Sequence, residues 1–259
     1  MKTRQPAVAG TFYPKSADKL QTMISDFLSD TEKTSIVPKA LIVPHAGYIY
    51  SGAIAASAYC LLEPLKQTIR RVVLLGPSHH VSFKGLALPD CNNFSTPLGN
   101  IPLDTDTMNE LLSSSLVHIL DQAHQMEHSL EVQCPFLHIC LQNFQLIPLL
   151  TGDCAPMSVA DIIDSLWGGD ETLIIISTDL SHYHNYEEAR QRDEQTVRAI
   201  QQLSPSLTSG QACGCTPLNG MLTETLHRGM RVTPLDIRNS GDTAGDKKRV
   251  VGYGAFSIH

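Results

Sequence analysis

The chain has 259 residues, 42% of them hydrophobic and 17% charged, with 19 basic against 26 acidic side chains and a formal charge of -7. With no basic run or stripe to neutralise phosphates, that balance excludes a general nucleic-acid binder, and no apolar segment reaches the length of a membrane span. The length suits one large α/β domain with a well-buried core.

Taken in chain order, Ala17 to Leu28 sets Leu20, Met23, Ile24, Phe27 and Leu28 at helical spacing and predicts an amphipathic helix. Ala40 to Val43 is a short strand stopped by Pro44, and Gly52 to Leu62 is a small, apolar helix. Arg71 to Leu75 is a buried strand ended by Gly76-Pro77, and Val81 to Pro102 reads as hairpin or loop. Thr105 to Ser113 and Ser129 to Leu141 are helical. Phe144 to Leu150 is a third apolar strand and Met157 to Leu166 a helix. Leu173 to Ile176 is a fourth strand, Tyr186 to Leu203 a long polar-faced helix, and Pro217 to Arg228 another helix. Met230 to Ile237 and Val250 to Ile258 close the chain as strands, placed antiparallel at one edge. Alternating strands and helices, with no repeat or linker, predict a single domain over 1–259. Its central mixed, largely parallel sheet is flanked by helices.

The first residues, MKTRQPAVAGTFYP, lack an apolar h-region, so the expected location is the cytosol. Seven cysteines without a compact framework fit reduced thiols, with Cys60, Cys134 and Cys140 in core patterns. Lys247-Lys248-Arg249 reads as a solvated turn. Phe12, Tyr13, Tyr48 and Tyr50 are candidate pocket-wall aromatics, though such positions are more often core.

Three apolar strands end in histidine-bearing segments. Leu41-Ile42-Val43-Pro44 runs into His45, Val72 to Leu75 into His79-His80, and Leu173 to Ile176 into Ser177-Thr178-Asp179-Leu180-Ser181-His182. In open α/β sheets ligands bind outside the carboxyl ends of the strands. Topology therefore delivers His45, His79 or His80, Asp179 and His182 to one crevice. Imidazoles and a carboxylate there suit a divalent transition metal or acid–base chemistry. Any one histidine alone is better read as a loop hydrogen bonder; three independent strand ends favour a site.

Glu127-His128-Ser129-Leu130-Glu131 adds a histidine before a predicted helix, where Ser129 and Glu131 read as capping and first-turn residues. His128 is equally compatible with a site and with the surface. Cys213-Gly214-Cys215 precedes a helix whose dipole would stabilise a thiolate; taken alone, a buried structural thiol is the commoner case. P-loop, dinucleotide-binding, nucleophile-elbow and H-E-x-x-H motifs do not occur.

Pro6 to Pro14 (PAVAGTFYP), Pro44-His45-Ala46-Gly47-Tyr48, Gly76 to His80, Glu127 to Glu131, Ser177 to His182, and Cys213-Gly214 with Pro217 resemble the signatures of the MEMO family. They occur in the same order along essentially the whole chain. The resemblance implies a fold like that of the class III extradiol dioxygenases, in which two histidines and a glutamate hold ferrous iron. In MEMO-like proteins the corresponding pocket offers two histidines and a cysteine. Carried onto this chain it implies His45, His79 and Cys213 as metal ligands, with Cys215 the competing thiol, and His128, Asp179 and His182 lining the cleft as catalytic groups. A thiolate is a soft ligand, so iron or copper is expected ahead of zinc, and Mg or Ca is disfavoured. The family also implies a small molecule or peptide in the cleft, and a radical-SAM protein and a third component as system partners.

Three functions follow: a metal-dependent redox or dioxygenase-like enzyme, a binding module that keeps an enzyme pocket without its chemistry, and a zinc hydrolase using Asp179. The first is the leading expectation, because the donor types favour a redox metal and hydrolytic motifs are unmatched.

Overall fold

The computed structural model describes residues 2–31 and 34–259. Its elements are, in order, β1 (Thr3–Arg4), α1 (Ala17–Ser29), β2 (Ala40–Val43), α2 (Tyr48–Tyr59), β3 (Arg71–Pro77), β4 (Leu86–Leu88), β5 (Asn93–Thr96) and β6 (Gly99–Pro102). There follow α3 (Thr105–Leu111), β7 (Val117–Ile119), α4 (Asp121–Gln125), α5 (Cys134–Cys140), β8 (Gln145–Thr151), α6 (Pro156–Ser165) and β9 (Thr172–Ser177). The chain closes with β10 (His182–His184), α7 (Tyr186–Gln201), α8 (Cys215–His227), β11 (Val232–Asn239) and β12 (Val250–Ile258).

The main sheet runs β10-β12-β2-β9-β3-β8-β4-β7, with β11 also paired to β12. Its centre is parallel: β2 with β9, β9 with β3, and β3 with β8. β11, β12 and β10 are antiparallel additions, and β4 runs antiparallel to β8. The sheet is thus mixed, as expected. Every residue of β2 and β9 is buried, which is what an unbroken apolar run means when helices cover both faces. α2 packs on β2, β11 and β12; α8 packs on β3 and β9 with α6 against it; α7 packs on β10, β11 and β12.

Several boundaries differ from the sequence reading, each for a local reason. α2 begins at Tyr48, not Gly52, because the turn at Gly47 lets the Tyr48 N–H bond the Phe12 carbonyl (2.7 Å). Its end tightens into a 3-10 turn, Cys60–Leu65, around Pro64, which cannot supply the next helical N–H. In the segment read as hairpin or loop, β5 and β6 form the hairpin in a small sheet with β1, but Leu86–Leu88 is a strand of the main sheet. The predicted Ser129 to Leu141 helix is a 3-10 turn, Glu131–Gln133, followed by α5. Cys134 and Cys140 are buried, whereas Cys60 is only half-buried.

His124, in α4, donates from Nε2 to the Ala87 carbonyl (3.0 Å) and is buried; burial lowers its pKa to about 4. The folded pKa lies below the unfolded value, so the unfolded chain binds the extra proton first. Stability is expected to fall as the pH drops from about 6.5 towards 4, by on the order of 3 kcal/mol at the lower end. Urea titrations across that window check this, and His124→Gln should flatten the slope.

Candidate metal centre

β2, β9 and β3 lie side by side and parallel, with Val43 paired to Ser177 and Leu75 to Ile176. Their carboxyl ends therefore open onto one crevice. Pro44 ends β2, and the following His45 N–H turns to Asp179 Oδ1 (2.7 Å) just beyond β9. β3 extends to Pro77 before His79. Two close approaches hold these ends. A Cβ on Gly76 would lie 2.9 Å from Leu130 Cδ2, and one on Gly214 would lie 2.8 Å from the Ser177 carbonyl oxygen. Replacing Gly76 by Ala is therefore expected to push the 129–130 segment away from β3 and destabilise the chain by about 1–3 kcal/mol, read as a lower urea midpoint.

One ligating nitrogen from each of His45, His79 and His128 lies within 4.8 Å of the others. The rings of His79 and His128 stack at 4.7 Å, and His45 meets both edge-on at 5.2 and 5.4 Å. His80 stands outside, its ring 6.3 Å from that of His128, so His79 is the member of the pair at the centre. Cys213 Sγ sits 3.2 Å from His45 Nε2. His45, His79, His128, Asp179, His182 and Cys213 all line one cleft of about 880 Å³. Phe12 and Tyr50 also line it, whereas Tyr13 and Tyr48 are core. Cys215 opens α8 and does not line the cleft.

The hydrogen-bond partners set the tautomers. Ser177 Oγ donates to the Ser129 carbonyl (2.6 Å) and accepts from Gln133 Nε2 (2.9 Å). Its remaining lone pair accepts from His45 Nδ1 (3.0 Å), which leaves His45 Nε2 unprotonated beside Cys213. His79 donates from Nδ1 to Glu127 Oε1 (2.8 Å), and His128 Nδ1 lies 3.3 Å from the same oxygen. His182 Nδ1 donates to the Leu180 carbonyl (2.8 Å), again freeing Nε2. Burial, reinforced by the neighbouring imidazoles, holds His45 well below its usual pKa; burial also lowers His128 to about 4 and pushes His182 down. These are neutral imidazoles, the form that binds metals.

Asp179 is raised to about 7 by burial, although the His45 N–H bond opposes the shift. Burial, with the Asp179 charge, pushes the Cys213 thiol up to about 12. The helix dipole expected to favour a thiolate there is outweighed. A nearby cation reverses that balance, because a coordinating thiol is deprotonated outright.

Glu127, Ser177 and Gln133 were not singled out from the sequence as site residues, yet they orient the ring nitrogens. For Glu127 a signal existed: an acid immediately before a histidine in a predicted site segment. Glu131 opens the 3-10 turn, as its position suggested, but its carboxylate does not serve that turn. It is buried and binds the N-terminal segment, and Ser129 Oγ bonds the Pro77 carbonyl (2.7 Å) instead of capping a helix.

The fold and the histidine cluster describe a mixed α/β protein with a group able to hold a metal ion. The sequence matches the family described as Memo-like protein over residues 4–257, and the chain belongs to that family. It is 34% identical to a MEMO1 family protein of Aquifex aeolicus over 98% of each chain. With the relative from Methanosarcina acetivorans it shares 35% identity over 100% of each. The crystal structure of the uncharacterized protein JW3007 from Escherichia coli K12 shares the fold, with a TM-score of 0.53 at 13% identity, covering 83% of this chain and 98% of that one. Among the described residues, no helix is long and apolar enough to cross a membrane.

Proposed function

We propose that this protein is a metal-dependent redox enzyme that holds iron or copper through His45, His79 and Cys213 and acts on a small molecule or peptide in the cleft. The observation that carries the reading is the donor set. Bare imidazole nitrogens, fixed by Ser177 and Glu127, converge with a thiol 3.2 Å from one of them. That set fits a soft or borderline transition metal and fits Mg or Ca poorly. Bound iron or copper supplies one-electron and Lewis-acid chemistry that no side chain here provides.

The chain's own residues supply the rest. His128, stacked on His79, is placed as a further nitrogen donor or as a proton carrier at the same face. Asp179, raised to about 7, holds a proton near neutral pH, and the neutral His182, with Nε2 free, stands as an acceptor in the same cleft. Phe12 packs on His128 with ring centroids 4.7 Å apart and walls that side from water.

Anaerobic loading with Fe(II) or Cu(I), followed by elemental analysis, tests the reading. Near-stoichiometric metal is expected, with affinity falling roughly tenfold or more in His45→Ala and His79→Ala. Cys213→Ser is expected to lose the preference for Cu(I) while keeping some affinity for Fe(II). Full occupancy in both histidine variants would sink the site, and no uptake by the wild type would favour the binding-module reading.

A further inference from the structure

We infer that the mouth of this cleft is a carboxylate-binding subsite, with Arg249 as its anchor and Tyr183 as its platform, so that the substrate is a monoanionic carboxylate joined to a planar apolar body. The inference rests on the proposed function for the claim that the bound anion is the substrate; the subsite itself stands on the geometry of the rim.

Arg249 is the one Lys or Arg among the described residues that lines the cleft. Arg4, Arg71, Arg192, Arg228 and Arg238 each reach a carboxylate. Arg249 pairs with none among the described residues, as is also true of Arg70 and Arg231, but of these three it alone lines the cleft; its guanidinium lies over the Tyr183 ring, 5.0 Å from the centroid. Asp246, which lines the same cleft, makes no ion pair with Arg249: its Oδ1 accepts from Lys248 N (2.8 Å) and Arg249 N (3.4 Å), which shapes the turn. In a chain of net charge -7, an unpaired guanidinium at the mouth of a cleft is a selective feature for an anion.

Tyr183, the ring on which Arg249 rests, supports the same reading. It is 64% exposed and has φ of +64°, a left-handed conformation that a bulky aromatic residue rarely takes. It lies where the β10–β12 register shifts between His182 and His184, so a bulge re-aims it. An exposed aromatic on strained backbone at a cleft rim is a common mark of a binding role. With Phe12 and Tyr50 also lining the cleft, the walls suit a flat apolar body.

The charge count selects carboxylate over phosphate. A planar guanidinium matches a carboxylate with two parallel N–H···O bonds, whereas a phosphate dianion calls for a second cation. The adjacent lysines do not provide it: Lys247 Nζ sits over the Tyr186 ring at 4.4 Å, and neither Lys247 nor Lys248 lines the cleft.

The test uses the full chain after chelation, so that a carboxylate has no metal to bind, with phenylacetate, phenylacetamide and phenyl phosphate as probes in calorimetry. Phenylacetate is expected to bind, the uncharged amide at least tenfold more weakly, and phenyl phosphate no better than phenylacetate. Arg249→Met should cut phenylacetate binding tenfold or more, and Arg249→Lys should recover part of it. Tyr183→Ala should weaken both phenylacetate and the amide. Equal binding of acid and amide, no binding of any probe, or an unchanged Arg249→Met overturns the subsite. Tighter binding of phenyl phosphate overturns the carboxylate assignment. Because these measurements need no metal, failed metal loading leaves them readable, and their failure leaves the metal centre standing.

Discussion

Glu131→Ala is expected to lower stability by about 3–5 kcal/mol, a large part of the roughly 5–15 kcal/mol that a domain commonly has. Glu131 is 1% exposed, and its two oxygens take four bonds from one stretch of chain. Oε1 accepts from Val8 N (2.9 Å) and Tyr13 Oη (2.6 Å); Oε2 accepts from Ala7 N (2.7 Å) and Arg4 Nη1 (2.7 Å). Removing the carboxylate leaves a buried guanidinium without its counter-charge and two backbone N–H groups without acceptors. That loss is the costly side of a buried pair, whatever the pair contributes when whole. Arg4 also donates to the Glu127 carbonyl (2.6 Å) and the His124 carbonyl (2.8 Å), so the damage reaches the segment that carries His128. Urea denaturation of Glu131→Ala, Glu131→Gln and Tyr13→Phe checks the expectation, with Tyr13→Phe costing only about 1 kcal/mol. A loss under 1 kcal/mol in Glu131→Ala would show that water satisfies the network.

This network also shows where sequence reasoning stops. β2, β3 and β9 were legible because residues buried on both faces must be apolar, and their parallel order explains why His45, His79 and Asp179 meet. His45, His79, Asp179 and His182 were therefore readable together from topology, whereas His128 and Cys213 entered as site residues only through the family resemblance. Glu131 was not readable in its true role, because its partners Arg4, Ala7, Val8 and Tyr13 lie more than a hundred positions earlier and leave no local pattern. The same holds for Ser177 and Gln133 around His45 Nδ1. β7 and β10, three residues each, are too short to show a period, and β10 carries two histidines and a tyrosine in place of β-branched residues. At Cys213 the local rule, a helix dipole favouring thiolate, loses to burial and to Asp179, which only the fold places beside it.

Glu127→Gln is expected to weaken metal affinity by about 10–100-fold while leaving the fold intact, because it removes the negative acceptor of the His79 ring and the carboxylate beside the His128 ring. Glu127 Oε1 accepts from His79 Nδ1 (2.8 Å) and from the backbone N–H of His128 and Ser129 (both 2.9 Å), and Oε2 accepts from His79 N (2.5 Å). Burial alone would raise its pKa, but the bonds from His79 and from the Ser129 N–H hold it down to about 2. An amide of the same shape keeps one acceptor oxygen and presents an NH₂ to groups that are themselves donors. His79 then loses either its tautomer lock or its backbone tether. With the folded pKa below the unfolded value, the carboxylate's contribution to stability is fully present above about pH 4.5 and is lost as the pH falls towards 2. Competitive chelator titrations of wild type, Glu127→Gln, His79→Ala and the double variant measure the coupling. If Glu127 acts by orienting His79, the double variant loses little more than His79→Ala alone. Additive losses would instead assign Glu127 chiefly to His128, whose Nδ1 lies 3.3 Å from the same oxygen.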